Sequence, residues 1–422
     1  MRRGYKYRIT PTSEQSQAIA RNVGCARFVY NALLDDYKQQ LDNGLKPVMK
    51  EVSELKVDNT FLKDADSLAL ANAKQNLRKA LDNFFKSRSG KRKGKRVKFP
   101  KRHKKHKCKW RYTTNNLNGT VSVRDGLLRL PKIGWVSIEL HRPIDGEIKS
   151  CTVEMTRDGQ FYASLSVDLP DTHAAKDFPS YGDLRVVGID MSLSQFAVDS
   201  DCTADDTKPK YVRLYRKYEK RRRRLAKTVS RKELKSSNRD KARKRLAKMD
   251  KHIANSRKDF AHKMSRHYAD NYADNYDVVV LEDIDLQSMS RALHLGKSVT
   301  DLGFGEFRAY LAYKCKETDC AILYADKWFA SSKTCHCCGG KNDSLKLSDR
   351  HWVCPHCGAE LDRDGNASEN LRGYFYRVVT EETYSTAGTA GIDASGDATS
   401  TLRLVLEQAA SLNEEAPSFR LG

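Results

Sequence analysis

SSKTCHCCGG at residues 331–340 and WVCPHCGAELDRDGNASENL at 352–371 are the stretches on which the reading of this chain turns. Cys335-x2-Cys338, 15 residues, then Cys354-x2-Cys357 is the spacing of a zinc ribbon, and Gly339 and Gly358 follow the two pairs as tight-turn residues. Four thiolates fill a tetrahedral Zn²⁺ site and leave no position for water, so such an ion is structural and not the catalyst. Cys337, His336 and His356 stand beside the set as spares, any of which could compete as a ligand. Five of the eleven cysteines lie between Cys335 and Cys357, and the odd total argues against a disulfide framework.

Working outward, two apolar runs end in acids. RVVGID at 185–190 predicts a buried strand closed by Asp190, with QFAVDS at 195–200 as its hairpin partner. DVVVLE at 277–282 predicts another, closed by Glu282. Asp364 stands just before the helix-like NASENLR. Carboxylates held rigidly at strand ends suit Mg²⁺, an oxygen-seeking ion, and two such ions roughly 3.5–4 Å apart can clamp the attacking water and the leaving oxygen of a phosphodiester. An acid after a strand is, however, most often a turn or cap residue. Asp183, Asp199, Asp283, Asp285 and Asp362 are close by, and spacing alone does not choose among them.

The rest of the chain supplies charge. A net charge of +23 over 422 residues calls for a polyanionic partner, and nucleic acid is the default. No apolar run reaches the roughly 18 residues a membrane span requires, and none follows the basic start as in a secretion signal, which points to a cytoplasmic protein. Residues 88–111 contain no acid, and Phe99, His103, His106 and Trp110 interleave their basic residues; such aromatics can stack on bases. Residues 213–250 carry 18 Lys/Arg against four acids in a helical pattern that 230–239 divides into two arms, the second running toward Tyr272. Arg102, Lys104, Trp110, Arg221 and Arg222 are the candidate contacts in these stretches.

Residues 3–10 predict a strand, and Thr12 with Gln15 forms a capping box for the helix that follows. A helix over 66–87 carries an apolar stripe of Leu70, Ala73, Leu77, Ala80, Leu81 and Phe84, with Asn72, Gln75, Asn76 and Lys79 opposite as candidate nucleic-acid contacts. Asp125-Gly126 and Asp158-Gly159 mark hairpins in a β-rich stretch over 119–169. A helix near 305–316 and a strand at 321–325 precede the cysteines. After 376 the composition turns to Thr, Ser, Ala and Gly, and residues 377–422 read as a disordered tail.

The 331–371 block resembles the signature of the TnpB family, a zinc knuckle pair followed at once by an Asp-Arg-Asp-x-Asn-Ala motif. GID at 188–190 and VVVLEDIDL at 278–286 resemble the family's first two RuvC motifs. YKYRITPTSEQ at 5–15, HIANSRKDFAHKMSR at 252–266 and GTAGIDASGDATS at 388–400 match as well. Two departures stand out: Ser368 where the family usually has Ala, and Cys337 inside the first knuckle.

The resemblance implies an α+β multidomain fold. An oligonucleotide-binding β-barrel wedge (1–10 and 96–180) holds an inserted helical recognition domain (11–95). An RNase H-like RuvC α/β domain (181–330 and 359–376) carries the zinc ribbon (331–358). It further implies catalysis by Asp190, Glu282 and Asp364 on two Mg²⁺, a guide RNA from the transposon end, target double-stranded DNA, and one monomer per guide. The rival readings are an RNA-guided binder that does not cut, an RNase H-like transposase that joins strands, and a zinc-ribbon scaffold.

Overall fold

The computed structural model describes residues 2–92, 95–105, 109–170, 183–191, 196–201, 214–283, 303–318, 320–326, 328–346 and 348–390. The chain divides into two compact units, Met1–Ala174 and Ala175–Gly422. None of the described helices is long and apolar enough to cross a membrane.

In the first unit β1 (Arg2–Thr10) runs into α1 (Ser13–Asp42), and the capping box anticipated from Thr12 and Gln15 is present in both directions. Helices α2 (Val52–Asp58) and α3 (Ser67–Arg88) follow. Leu70, Ala73, Leu77 and Leu81 of α3 pack with Val29, Leu33 and Leu34 of α1, so the anticipated stripe is the core of a helical layer inserted between strands. Six further strands complete an open antiparallel sheet: β2 (Trp110–Asn115), β3 (Ser122–Arg124), β4 (Leu127–Leu130), β5 (Gly134–Glu139), β6 (Glu147–Met155) and β7 (Phe161–Asp168). Their order is β2-β6-β7-β1-β5-β4-β3. The first hairpin turns on Asp125 and Gly126, both at positive φ (49° and 71°), as a two-residue turn between right-twisted strands demands. Among the described residues β2 and β3 are the outer strands of this half-barrel sheet.

The second unit is built on a sheet of order β11-β10-β8-β9: β8 (Val186–Asp190), β9 (Val198–Asp199), β10 (Val278–Glu282) and β11 (Ala321–Ala325). β8, β10 and β11 are parallel, and β9 is the antiparallel partner expected from QFAVDS. Parallel strands are covered on both faces, and their side chains alternate between the two. Val187, Ile189, Val279 and Leu281 pack on one side with Met264 and Tyr268 of α5 (Ser237–Asn275) and Phe304, Phe307 and Leu311 of α6 (Phe304–Glu317). Val186, Val278, Val280 and Leu323 pack on the other with Leu371 and Phe375 of α7 (Arg363–Ala390). α4 (Leu214–Ser230) pairs with α5 as the two basic arms, joined by Arg222–Asp250 at 2.6 Å. A small ribbon of β12 (His351–Val353) and β13 (Glu360–Asp362) extends the cysteine module beyond the expected limit of 358.

One expectation changes here. Residues 377–390 were read from composition as tail, yet α7 continues through them to Ala390. Val378 packs against the sheet core, and the Arg377 guanidinium stands 4.9 Å from the Phe329 ring centre, contacts that composition cannot reveal. Residues 391–422 lie outside the described residues.

α7 approaches β8 backbone to backbone. A Cβ added at Gly188 would lie 2.0 Å from the Ser368 carbonyl oxygen and 2.5 Å from the Arg372 nitrogen. Gly188→Ala is therefore expected to destabilise the second unit by ~3 kcal/mol or more, a fall of roughly 10 °C in its melting temperature by calorimetry.

Candidate metal centres

The alternation that buries Val186 and Val280 beneath α7 also sets the acids. Asp190 is two and four residues beyond Gly188 and Val186, and Glu282 two and four beyond Val280 and Val278, so both belong to the α7 face. The parallel register pairs Leu281 with Ile189; one residue on, Glu282 stands beside Asp190. Asp364 lies in the first turn of α7, on the stripe with Ser368, Leu371 and Phe375 that meets the sheet. Three acids from distant parts of the chain thus converge on one face.

Their electrostatics record the convergence. Burial, then the neighbouring charges of Glu282 and Asp364, push the Asp190 carboxyl up to about 8, against the pull of Arg363 and the Met191 N–H. Burial raises Glu282 too, opposed by Arg308. Asp364 is 9 % exposed, and Arg350 Nη1 donates to both of its oxygens at 3.2 and 3.4 Å. Acids that repel one another are a poor resting arrangement without a cation, and carboxylates are the oxygen donors that Mg²⁺ takes, although among the described residues only the four cysteines bring three or more ligand atoms within 4.8 Å of one another.

The neighbouring acids have other partners. Asp283 pairs with Arg308 at 3.0 Å. Asp362 accepts the Gly365 N–H at 2.9 Å and so caps α7, leaving Asp364 as the inward-facing acid of the motif. Asp183 is exposed, Asp199 lies on β9, and Asp285 lies outside the described residues.

The ligand atoms of Cys335, Cys338, Cys354 and Cys357 all lie within 4.8 Å of one another. Cys335–Cys357 and Cys338–Cys354 sulfurs are 3.7 and 3.6 Å apart. Thiolates roughly 2.3 Å from a central Zn²⁺ would span tetrahedral edges of about 3.8 Å, so the set fits zinc. Cys337 is exposed and its sulfur lies 3.4 Å from His336 Nε2.

Sequence reasoning missed the residues that join ribbon and acids. Arg350 comes from the turn before β12, and Arg363 donates its backbone N–H to the Arg350 carbonyl and its Nη1 to the Lys346 carbonyl. Asn366 and Asn370 bond the backbone of the first knuckle. Their spacing of four on a helix was the available signal.

The anticipated nucleic-acid residues are scattered. Asn72 donates to the Thr113 carbonyl at 2.9 Å and ties α3 to β2, while Gln75, Asn76 and Lys79 are exposed. Arg102 pairs with Asp35 at 2.8 Å; Lys104 and Arg221 are exposed; Arg222 holds Asp250. Of the interleaved aromatics, Phe99 packs on Phe84 and Trp110 against the sheet core, both partly buried, while the exposed His103 stacks 3.9 Å from Tyr30. His106 lies outside the described residues.

Comparison with known proteins gives the chain its family. Residues 304–371 match the family model described as "Cas12f1-like, TNB domain", 176–293 one described as "Probable transposase", and 1–46 one described as "Helix-turn-helix domain". In that last region the described residues form a strand and one long helix. A Streptomyces pristinaespiralis protein named "Putative RNA-guided DNA endonuclease" is 33 % identical over 388 residues, spanning 88 % of this chain and 89 % of that protein. Escherichia coli K12 InsQ, given the same description, is 26 % identical over 89 % of this chain and 92 % of its own length. A solved chain from a "Cas12f1-sgRNA-target DNA complex" aligns at 16 % identity over 88 % of this chain and 99 % of its own, with a TM-score of 0.34. The chain belongs to the TnpB family.

Two neighbouring acids separate cap from centre. Asp362→Ala is expected to cost about 1 kcal/mol of stability and to leave the nuclease function in place. Asp364→Ala should abolish function with little change in melting. Thermal melts paired with a DNA cleavage assay check both.

Proposed function

We infer that this chain is a transposon-encoded, RNA-guided DNA endonuclease that hydrolyses target DNA beside a short flanking motif. The observation that carries the reading is the shared face of Asp190, Glu282 and Asp364, set by strand parity, register and the α7 stripe. The second unit is then an RNase H-like RuvC domain carrying a zinc ribbon. The first is an oligonucleotide-binding wedge whose sheet holds the helical recognition layer.

Asp190, Glu282 and Asp364 would hold two Mg²⁺, which when bound supply the positive charge that makes water nucleophilic at neutral pH and neutralises the leaving oxygen. The chain's own part is orientation. β8 and β10 fix two carboxylates on a rigid sheet, and α7 brings the third. Arg350 and Arg308 provide counter-charge beside Asp364 and Glu282, which keeps the acids from repelling one another apart. Cutting both strands at a single centre requires that they enter in turn, leaving 5′-phosphate and 3′-hydroxyl ends.

Specificity lies in base pairing between a guide RNA and one DNA strand, while the protein reads backbone shape and the flanking motif. The exposed basic residues of α4, α5 and 88–111 neutralise phosphates, with one protein per guide RNA, acting in the cytoplasm. Gln75, Asn76 and Lys79 on the open side of α3 face the flanking DNA.

Asp190→Ala is expected to abolish Mg²⁺-dependent cleavage of a plasmid carrying the guide-matched site while guided binding persists in a gel-shift assay. Normal cleavage by that variant would refute the assigned centre. Cys354→Ser should lose zinc and soluble yield together, because a closed thiolate site contributes folding energy. Metal analysis of the purified protein reads this directly.

A further inference from the structure

Helix α7 has two working stripes. Asp364, Ser368, Leu371 and Phe375 recur at spacings of four, three and four and lie toward the sheet. Asn366 and Asn370, one turn apart, form an adjacent stripe and are 3 % and 9 % exposed. Asn366 Nδ2 donates to the Thr334 carbonyl at 2.8 Å, and its Oδ1 accepts the His336 backbone N–H at 2.9 Å. Asn370 Nδ2 donates to the carbonyls of Ser331 at 2.8 Å and Thr334 at 2.6 Å. These backbone groups flank Cys335, the first thiol of the knuckle.

Packing alone does not call for amides here. A buried amide costs free energy unless its hydrogen bonds are made, and an apolar side chain would fill the space. What the amides add is direction. Two of them, one turn apart and bonded to a fixed backbone, set both the rotation of α7 about its axis and its height along it. Each residue of a helix advances the direction by about 100°, so a small rotation carries Asp364 away from Asp190 and Glu282. An ion-binding set tolerates displacements of only about 0.5 Å.

We propose that Asn366 and Asn370 are positioning residues through which the closed cysteine knuckle holds Asp364 in register with Asp190 and Glu282. Order at the zinc ribbon and divalent-cation affinity at the acids are thereby coupled, and by linkage the coupling is reciprocal. The inference rests on reading the acids as a metal centre. It adds that the structural metal tunes the catalytic one.

The test uses the full chain carrying Asn366→Ala or Asn370→Ala. Zinc per chain is measured by elemental analysis, and Mn²⁺ affinity by electron paramagnetic resonance of the free ion, with Asp190→Ala as the reference for binding elsewhere. Both variants are expected to keep zinc and to melt a few degrees lower, because backbone partners of the amides are left unpaired, while Mn²⁺ affinity at the acids falls about tenfold. In cleavage, the Mg²⁺ concentration for half-maximal rate should rise similarly while the rate at saturating Mg²⁺ is kept. If an alanine variant is insoluble, Asn366→Asp, which keeps the volume and removes the donor, is expected to show the same loss. Unchanged Mn²⁺ affinity with zinc retained overturns the proposal. Loss of zinc from every variant also overturns it and makes the asparagines props of the ribbon alone. A fall in Mn²⁺ affinity in a protein whose parent cuts no DNA supports the coupling and counts against the endonuclease reading.

Discussion

The contact between the backbones of β8 and α7 governs the second unit. With no side chain at Gly188, the carbonyl of Ser368 comes to where a Cβ would stand, and the helix lies directly on the strand. The packing of α7 on this face of the sheet follows from that closeness. Leu371 and Phe375 seal the sheet, and Asp364 lies on the same stripe nearer the helix start, close enough for its charge, with that of Glu282, to act on Asp190. The hydroxyl that distinguishes Ser368 from the family's usual Ala is accommodated by donating to the Gly365 carbonyl at 2.8 Å. It therefore adds no unpaired polar group at the tightest point of the packing.

Two side-chain sets of opposite character border α7. The cysteine set is closed and neighbours a backbone-rich knuckle, suited to holding an ion permanently. The acid set is electrostatically strained, with the Asp190 carboxyl raised by burial and by its two partners. Arg350 and Arg363 run between them, one reaching Asp364 and the other the ribbon backbone. The ribbon is thus joined by hydrogen bonds to the helix that carries Asp364.

Much of this was legible in residue order. The ribbon followed from cysteine spacing, the strands at 186–190 and 278–282 from uninterrupted β-branched and apolar runs, and the basic arms from charge and helical pattern. The selection of acids was not. Asp190 and Glu282 differ from Asp199 and Asp283 only by which face the strand offers and what pairs beside it, and those are properties of the sheet. Asp362 and Asp364 were separated by resemblance; the physical distinction, cap against inward face, needs the helix in place. The aromatics at Phe99, His103 and Trp110 looked available for bases because their intramolecular partners are distant in sequence. The continuation of α7 past 376 was hidden for the same reason.

The order in which the acids occur has a consequence for synthesis. A ribosome exposes β8, then the basic arms, then β10, and only near the end the helix that carries Asp364. Domains assemble as they emerge, so a nascent or prematurely terminated chain can display its positive surfaces before it owns a third carboxylate.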